Sequence, residues 1–281
     1  MKILRHRADF RSVVFVLFLF VAMALQWSAV FRHPLLYVLS HCFAFIALVI
    51  NHNHQHVATF ARRSWNRVFG LVLSLVTGQP ASAIVPMHNL NHHVYNNRPQ
   101  DFVRTSLVQF RWNFLNLLLF PFLAVAGYAK AKSEVMRSWK SSSPRLYRQL
   151  RWERAVFYPV ILLLLTFRPL DTLLYLIAPY LTAQWGIIVI NLVQHDGCDP
   201  DSEYNHCRNL VGRWTNWWLF NNGYHAAHHL HPGLHWSELP ACHANIRGSI
   251  DPRLERRSLF FLLVELYAWP GRRPESSKGI S

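Results

Sequence analysis

Ten histidines stand in three short motifs and at one isolated position, and nine of them have spacings or positions that could bring imidazoles together. The motifs read HNHQH at 52–56, HNLNHH at 88–93 and HAAHH at 225–229, and the isolated histidine lies in NLVQHD. Residues three or four apart share one face of a helix, so each motif predicts neighbouring imidazoles. Imidazole is a common metal ligand. The candidate metal ligands are therefore His52, His56, His88, His92, His93, His195, His225, His228 and His229.

The number of imidazoles narrows the choice of metal. Zinc takes three or four ligands, and the HExxH motif of zinc hydrolases does not occur in the sequence. Copper also binds imidazole, but no set of cysteines and methionines accompanies the motifs. Two irons with four or five imidazoles each would use the whole set and leave open positions for O₂. Five of the other histidines, at positions 6, 33, 54, 206 and 243, are interpreted as surface or hydrogen-bonded residues.

The elements that must position these histidines are predicted to be membrane helices. Ser12 to Phe31 is a run of 20 residues without a charge, and Pro34 to Asn51 is a second apolar run. About 20 apolar residues span a hydrocarbon core. Basic residues precede the first span, which predicts a cytoplasmic N-terminus. The chain then re-enters the cytoplasm at about His52.

Three further apolar runs follow, at 113–129, 155–167 and 172–194. The segment 130–154 holds eight basic residues, and the positive-inside rule places it in the cytoplasm. We therefore expect 113–129 to dip into the membrane without crossing it. The prediction is an all-α integral membrane protein with four spans in two hairpins, at 12–31, 34–51, 155–167 and 172–194. A cytoplasmic cap of short helices, at 52–112 and 195–250, would carry the histidines.

The composition and the motifs argue against other classes of protein. Hydrophobic residues make up 52% of the 281 residues and charged residues only 15%, a low share for a soluble protein. The net charge of +15 comes from Lys and Arg residues that mostly flank apolar runs, and no nucleic-acid-binding motif is present. The four cysteines form no CxxC pair. A membrane carrier of metal or haem would need polar residues within its spans, which hold only His41 and a few neutral polar residues.

The order of two spans, HxxxH, HxxxHH, two spans and HxxHH resembles the membrane fatty acid desaturase superfamily. This superfamily includes desaturases, alkane and fatty acid hydroxylases and carotenoid ketolases. The segment NNGYHAAHHLHPGLHWSELP at 221–240 is similar to the third histidine box of the family. The resemblance covers roughly residues 12 to 240 and implies one desaturase-like domain over 1–281. The second box has three residues between its first two histidines where many acyl desaturases have two, which bears on the subgroup rather than on the chemistry.

The resemblance implies a non-haem di-iron site that activates O₂. It implies ligand roles for the nine histidines, with His195 matching an additional histidine at the cytosolic end of the fourth span. Asn191, one turn earlier, is similar to a family asparagine near the irons. Electrons would come from a separate carrier of the ferredoxin, rubredoxin or cytochrome b5 type. The basic cytoplasmic surface favours an acidic carrier.

Carboxylates near the histidine boxes are candidates for supporting the ligands, because a ligating imidazole usually donates its second N–H to a carboxylate or carbonyl. We expect Asp101, Asp196 and Glu238 in this role. An ion pair with Arg104 is the alternative for Asp101.

The predicted reaction is O₂-dependent desaturation of a fatty acyl chain in lipid metabolism. Removing hydrogen from an unactivated CH₂ group is beyond any protein acid or base, which explains the need for metal. A fatty acid or alkane hydroxylase, or a carotenoid-type ketolase or hydroxylase, would use the same site and is the alternative. The active site is expected on the cytoplasmic face of a membrane, with the bacterial inner membrane favoured over the endoplasmic reticulum.

Overall fold

The computed structural model describes residues 2–268 of the chain, which are mostly helical. The all-α prediction holds apart from β1 (Asn209–Leu210) and β2 (Glu255–Arg256), which pair in parallel with Asn209 opposite Glu255. The helices are α1 (Asp9–Trp27), α2 (Pro34–His56), α3 (Arg63–Thr77), α4 (His93–Tyr95), α5 (Asn113–Ser142), α6 (Pro144–Phe167), α7 (Pro169–Thr172), α8 (Ala178–His195), α9 (Arg213–Trp218), α10 (His225–Leu230), α11 (Leu239–Ile246) and α12 (Leu259–Tyr267). Single turns of π-helix at His88–His92 and Leu173–Ile177 lead into α4 and α8.

The chain divides into two compact units. The first unit comprises Met1–Val85 and Met136–Ile187, and the second comprises Pro86–Val135 and Ile188–Ser281. Of the predicted single domain over 1–281, residue 1 and residues 269–281 lie outside the described residues. That the whole chain forms one desaturase-like domain stays a prediction.

Within the first unit, long apolar helices begin and end where the sequence supplies the signals. Pro34 opens α2, where the preceding His33 accepts a hydrogen bond from the N–H of Leu35. Gly78 ends α3 in the left-handed conformation (φ +73°), and a Cβ there would lie 2.2 Å from the ring of Tyr180. The first two helices pack together, with Gln26 donating to the hydroxyl of Ser40 at 2.8 Å.

A buried carboxylate fixes the turn that follows α3 in the first unit. Glu153 on α6 is 1% exposed and accepts hydrogen bonds from the N–H and the hydroxyl of Ser82, at 2.8 and 3.0 Å. Gln149 donates to the same carboxylate, and Asn51 on α2 donates to the carbonyl of Ala81. The turn at Ala81–Ile84 is therefore held from two helices by polar side chains.

Within residues 2–268, four helical stretches are long and apolar enough to cross a membrane. They are Asp9–Trp27, Pro34–His56, Asn113–Ala131 and Pro169–His195; Arg63–Thr77 and Ala81–Tyr95 would add a fifth only if counted as one bent span. The set differs from the prediction at one member, because Asn113–Ala131 replaces 155–167. The predicted span is the apolar end of the longer helix α6, whose first half carries arginines and Glu153. Which helices cross, and the two-hairpin arrangement with its cytoplasmic cap, stay predictions.

In the second unit, short helices and loops are held by side-chain-to-backbone hydrogen bonds. Asn97 has a left-handed backbone (φ +66°), donates its N–H to Asp101 and accepts from the N–H of Thr105 at 2.7 Å. Asn91 clamps the same loop by accepting from the N–H of Phe102 and donating to the carbonyl of Gln100. These bonds fix the segment that follows the second histidine motif.

Candidate metal centre

Four histidines from three separate segments of the second unit converge on one point. His92 ends the π-helical turn, His195 ends α8, and His225 and His229 lie on α10. One nitrogen from each ring lies within 4.8 Å of the corresponding nitrogens of the other three. We call these four residues the inner histidine group. The first three are buried and His229 is half-buried.

The nitrogens of the inner histidine group match what a metal ion requires. His195 Nε2 and His225 Nε2 lie 2.9 Å apart. Metal–imidazole bonds of about 2.1 Å place adjacent ligand nitrogens roughly 3 Å apart. The Nε2 atoms of His92 and His229 are buried and have no hydrogen-bond partner among the described residues. Such atoms are costly to bury, and a metal would satisfy both. The donor set fits a metal bound by imidazoles.

Two of these rings are oriented from behind by hydrogen bonds through Nδ1. His92 Nδ1 donates to the carboxylate of Asp101 at 2.7 Å, and both side chains are fully buried. His195 Nδ1 donates to the backbone carbonyl of His206 at 3.1 Å. Because Nδ1 carries the proton in each ring, the Nε2 lone pair faces the inner histidine group. This is the arrangement that metal-ligating histidines usually have.

Burial and hydrogen bonding set the charge states around the centre. Burial lowers the pKa of His225 and His229 well below the ordinary value, and the neighbouring imidazoles lower it further. Both rings are therefore neutral near pH 7, as metal binding requires. Burial alone would raise the pKa of Asp101, but hydrogen bonds from His92 and from the N–H groups of Val103 and Asn97 outweigh it and leave that pKa below its usual value.

The remaining predicted ligands of the second unit lie beside the inner histidine group. His88, His93 and His228 bring one nitrogen each within 4.8 Å of the others, and His93 Nε2 lies 3.0 Å from His88 Nε2. The ring of His93 packs on that of His229, with centroids 4.5 Å apart. Seven of the nine predicted ligands thus lie together in the second unit.

The first histidine motif belongs to the first unit. His52 and His56 lie one turn apart at the end of α2, with ring centroids 4.8 Å apart. His54, between them, turns away and shares a hydrogen bond with the hydroxyl of Thr59 at 2.9 Å. The helical spacing therefore separates the two predicted ligands from the intervening histidine.

The predicted supporting residues have different surroundings. Asp101 contacts His92 directly, whereas Arg104 donates to the backbone carbonyl of Asp101 and not to its carboxylate. Asn191 donates to the carbonyl of Val103 at 3.0 Å, so its amide braces the loop that contains Asp101. Asp196 accepts a hydrogen bond from Tyr267, and Glu238 is exposed at the start of α11. The supporting roles of all four residues stay predictions.

His206, interpreted from the sequence as a surface or hydrogen-bonded residue, is buried beside the inner histidine group. It is 4% exposed, and its ring centroid lies 5.4 Å from that of His229. A signal was present, because Glu203 and His206 have the Glu-x-x-His spacing found in carboxylate-rich di-iron bundles. The structure excludes that interpretation for Glu203, whose side chain is exposed and whose backbone carbonyl bonds the His206 ring.

Helices of membrane-spanning length and a buried set of imidazoles together define an integral membrane protein with a candidate metal centre. The sequence matches the family described as Fatty acid desaturase over residues 25–259. The chain therefore belongs to the fatty acid desaturase family, a family of oxidoreductases, and the predicted resemblance is confirmed. No curated protein and no solved structure matches the chain.

Proposed function

We propose that this protein desaturates a fatty acyl chain with O₂ at a centre of two irons. The observation that carries the proposal is the inner histidine group, in which four imidazole nitrogens lie within 4.8 Å in a member of the desaturase family. An accidental cluster of histidines would not have rings held from behind by Asp101 and by the carbonyl of His206.

The ligand assignment follows the two sets of histidines. His92, His195, His225 and His229 would hold one iron. His88, His93 and His228 would contribute to the other. We include His52 and His56 as ligands of the second iron because the family's first histidine box implies it, and not on geometry. Imidazole ligands alone suit iron but would also accept zinc, which would occupy the centre without activity.

Iron, when bound with O₂, supplies an oxidant strong enough to remove hydrogen from an unactivated CH₂ group. The chain's own residues would orient the ligands of that centre and exclude water from it. The carboxylate of Asp101 holds the Nδ1 proton of His92 and so fixes the direction of the ring. Burial of His92, His195, His225 and His228 keeps bulk water from the ligand nitrogens.

The stoichiometry of desaturation sets what the partners must provide. Two adjacent CH₂ groups lose two hydrogen atoms and become CH=CH, while O₂ takes these together with two electrons and two protons to give two water molecules. A separate electron carrier must therefore supply two electrons per turnover. We propose an acidic carrier of the ferredoxin, rubredoxin or cytochrome b5 type, because the chain carries a net charge of +15.

The placement in the membrane gives access to the substrate. We propose that four helices span the membrane and that the histidine motifs lie on the cytoplasmic face. An acyl chain entering from the lipid could then reach the irons, and apolar walls would fix which carbon atoms meet them.

Product analysis tests this function directly. Cells expressing the protein should accumulate fatty acids that lack two hydrogen atoms, and under ¹⁸O₂ these products should contain no labelled oxygen. Cells expressing His92→Ala, which lacks a ligand, should show no new product. A product that gains one labelled oxygen atom would make the enzyme a hydroxylase and would leave the metal centre unchanged. No new product from any lipid, under conditions that load the protein with iron, would contradict the proposal.

A further inference from the structure

One more imidazole lies beside the inner histidine group, and its hydrogen bonds fix where its proton is. His206 is in the loop between α8 and β1 and is 4% exposed. Its Nδ1 faces the backbone carbonyls of Glu203 and Ser202, at 2.9 and 3.2 Å. Carbonyl oxygens only accept, so Nδ1 is the protonated nitrogen and Nε2 carries the lone pair.

That lone pair has no donor in the described chain. His206 Nε2 is buried and has no hydrogen-bond partner among residues 2–268. A buried acceptor left without a donor loses its hydration without compensation, so native proteins seldom leave one unmet.

The surroundings of His206 place it at the metal centre. The 5.4 Å separation of its ring centroid from that of His229 compares with 4.5 to 5.0 Å for pairs within the inner histidine group. Its backbone carbonyl also holds the ring of His195. His206 is not one of the four residues whose nitrogens lie within 4.8 Å of one another, so we do not assign it as a direct ligand.

We propose that Nε2 of His206 accepts a hydrogen bond from a water molecule bound in the metal centre beside His229. This inference rests on the proposed function, because it requires that the inner histidine group binds a metal. His206 is then a positioning residue, which holds a small co-ligand and strengthens metal binding through it. Residues that act on a metal through its ligands typically change its affinity 10–100-fold.

Two substitutions separate the two nitrogens of the ring. His206→Asn places an amide near the position of Nδ1, so it keeps a donor for the carbonyls of Ser202 and Glu203 but offers no acceptor at Nε2. His206→Gln places its amide near Nε2, so it keeps the inward acceptor and gives up the outward bond. If His206 only stabilised its loop, His206→Gln would be the impaired variant, because it gives up the bonds to the loop carbonyls. Under the proposal, His206→Asn is the variant with weakened metal binding.

His243→Asn is the matched control. His243 is also 4% exposed and also has a buried nitrogen, Nδ1, without a partner among the described residues. Its Nε2 pairs with the carboxylate of Glu255 at 2.9 Å, and its ring packs on Tyr224. Loss of this histidine should destabilise its own neighbourhood without changing metal affinity.

The experiment is a titration of the purified full-length metal-free protein with Co²⁺, followed by the visible absorption spectrum of the bound ion. We expect His206→Asn to bind Co²⁺ about tenfold more weakly and with shifted absorption bands. His206→Gln and His243→Asn should bind within about twofold of the unsubstituted protein. Equal affinity and equal spectra for His206→Asn and the unsubstituted protein would overturn the role of His206 alone. Failure of the unsubstituted protein to bind Co²⁺ would instead overturn the proposed metal centre.

Discussion

Glu153 in the first unit and Asp101 in the second are both buried carboxylates that accept hydrogen bonds from nearby backbone N–H groups. They differ in the side chains that donate to them. Glu153 receives the hydroxyl of Ser82 and the amide of Gln149, which are neutral groups without proton chemistry. Asp101 receives the ring of His92, whose other nitrogen faces the inner histidine group.

The pKa values of the two carboxylates move in opposite directions for this reason. Burial raises the pKa of Glu153 above its usual value, and its three hydrogen bonds do not offset the effect. At Asp101 burial acts in the same direction, but the hydrogen bond from His92 and two backbone N–H groups outweigh it. A buried carboxylate is thus a backbone anchor in one unit and a support for a proposed metal ligand in the other. The comparison predicts which substitutions affect the metal.

The largest effect should come from removing the ring that distinguishes the two sites. His92→Ala takes away a proposed ligand and leaves the Asp101 carboxylate buried without its imidazole partner. We expect turnover to fall by more than about 100-fold, since even groups acting behind a ligand cost 10–100-fold. Fatty acid analysis of expressing cells measures this loss. His54→Ala, which removes a histidine outside the proposed ligand set, should keep most activity. Full activity in the His92 variant would remove that residue from the ligand set.

The next prediction concerns the side of the membrane on which the region around Glu153 lies, and its result is either one face or the other. Ser142 ends α5, shortly before the helix that carries Glu153. A cysteine at Ser142 in a cysteine-free background should react with membrane-impermeant thiol reagents only from the cytoplasmic face, because the basic segment around it is expected there. Labelling from the opposite face would mean that Asn113–Ala131 crosses the membrane and that the four spans must be redrawn.

Asp101→Asn should have an intermediate effect. The amide oxygen still accepts one backbone N–H, but the negative charge that holds the His92 proton is lost. We expect iron to bind about tenfold more weakly. A chelator should therefore remove the metal from this variant faster than from the unsubstituted protein. Asp201→Asn is the control, since the Asp201 side chain is 72% exposed and its pair with Arg98 lies in the same unit. Similar rates in both variants would contradict the support proposed for His92.

The smallest effect should come from Glu153→Gln. Because burial already raises the pKa of Glu153, a neutral amide is tolerated, and its oxygen can still accept the N–H of Ser82. We expect the free energy of unfolding to change by less than about 1 kcal/mol and the iron content to stay the same. Thermal unfolding of the purified protein and metal analysis would check both. Loss of iron in this variant would show that the two carboxylates are not as different as their donors indicate.

The sequence predicted those features of the site that depend on one helix alone. A spacing of four residues correctly predicts that the ring of His52 lies beside that of His56, and the ring of His225 beside that of His229, because one helix supplies both members of each pair. The groups that hold the rings of His92 and His195 through Nδ1, the Asp101 carboxylate and the backbone carbonyl of His206, come from other segments, so spacing could not assign them. The Asp101 carboxylate that contacts His92 also accepts the N–H of Asn97, whose left-handed backbone one sequence does not reveal.

The membrane spans show the same limit. Apolar length identified Pro34–His56 and Pro169–His195, but could not choose between 113–129 and 155–167, because arginines flank both regions and helix length depends on where α5 and α6 begin. The sequence marks His206 only by its Glu-x-x-His spacing from Glu203, and that spacing does not reveal that the Glu203 side chain is exposed while the His206 ring is buried.

Metal analysis of the purified protein tests the central claim most directly. Protein loaded with Fe²⁺ and freed of excess metal should retain close to two irons per chain. His229→Ala should lose iron from the inner histidine group, while His54→Ala should retain the full amount. Retention of no iron by the unsubstituted protein, or the same iron content in the His229 variant, would contradict the assignment of these histidines as iron ligands.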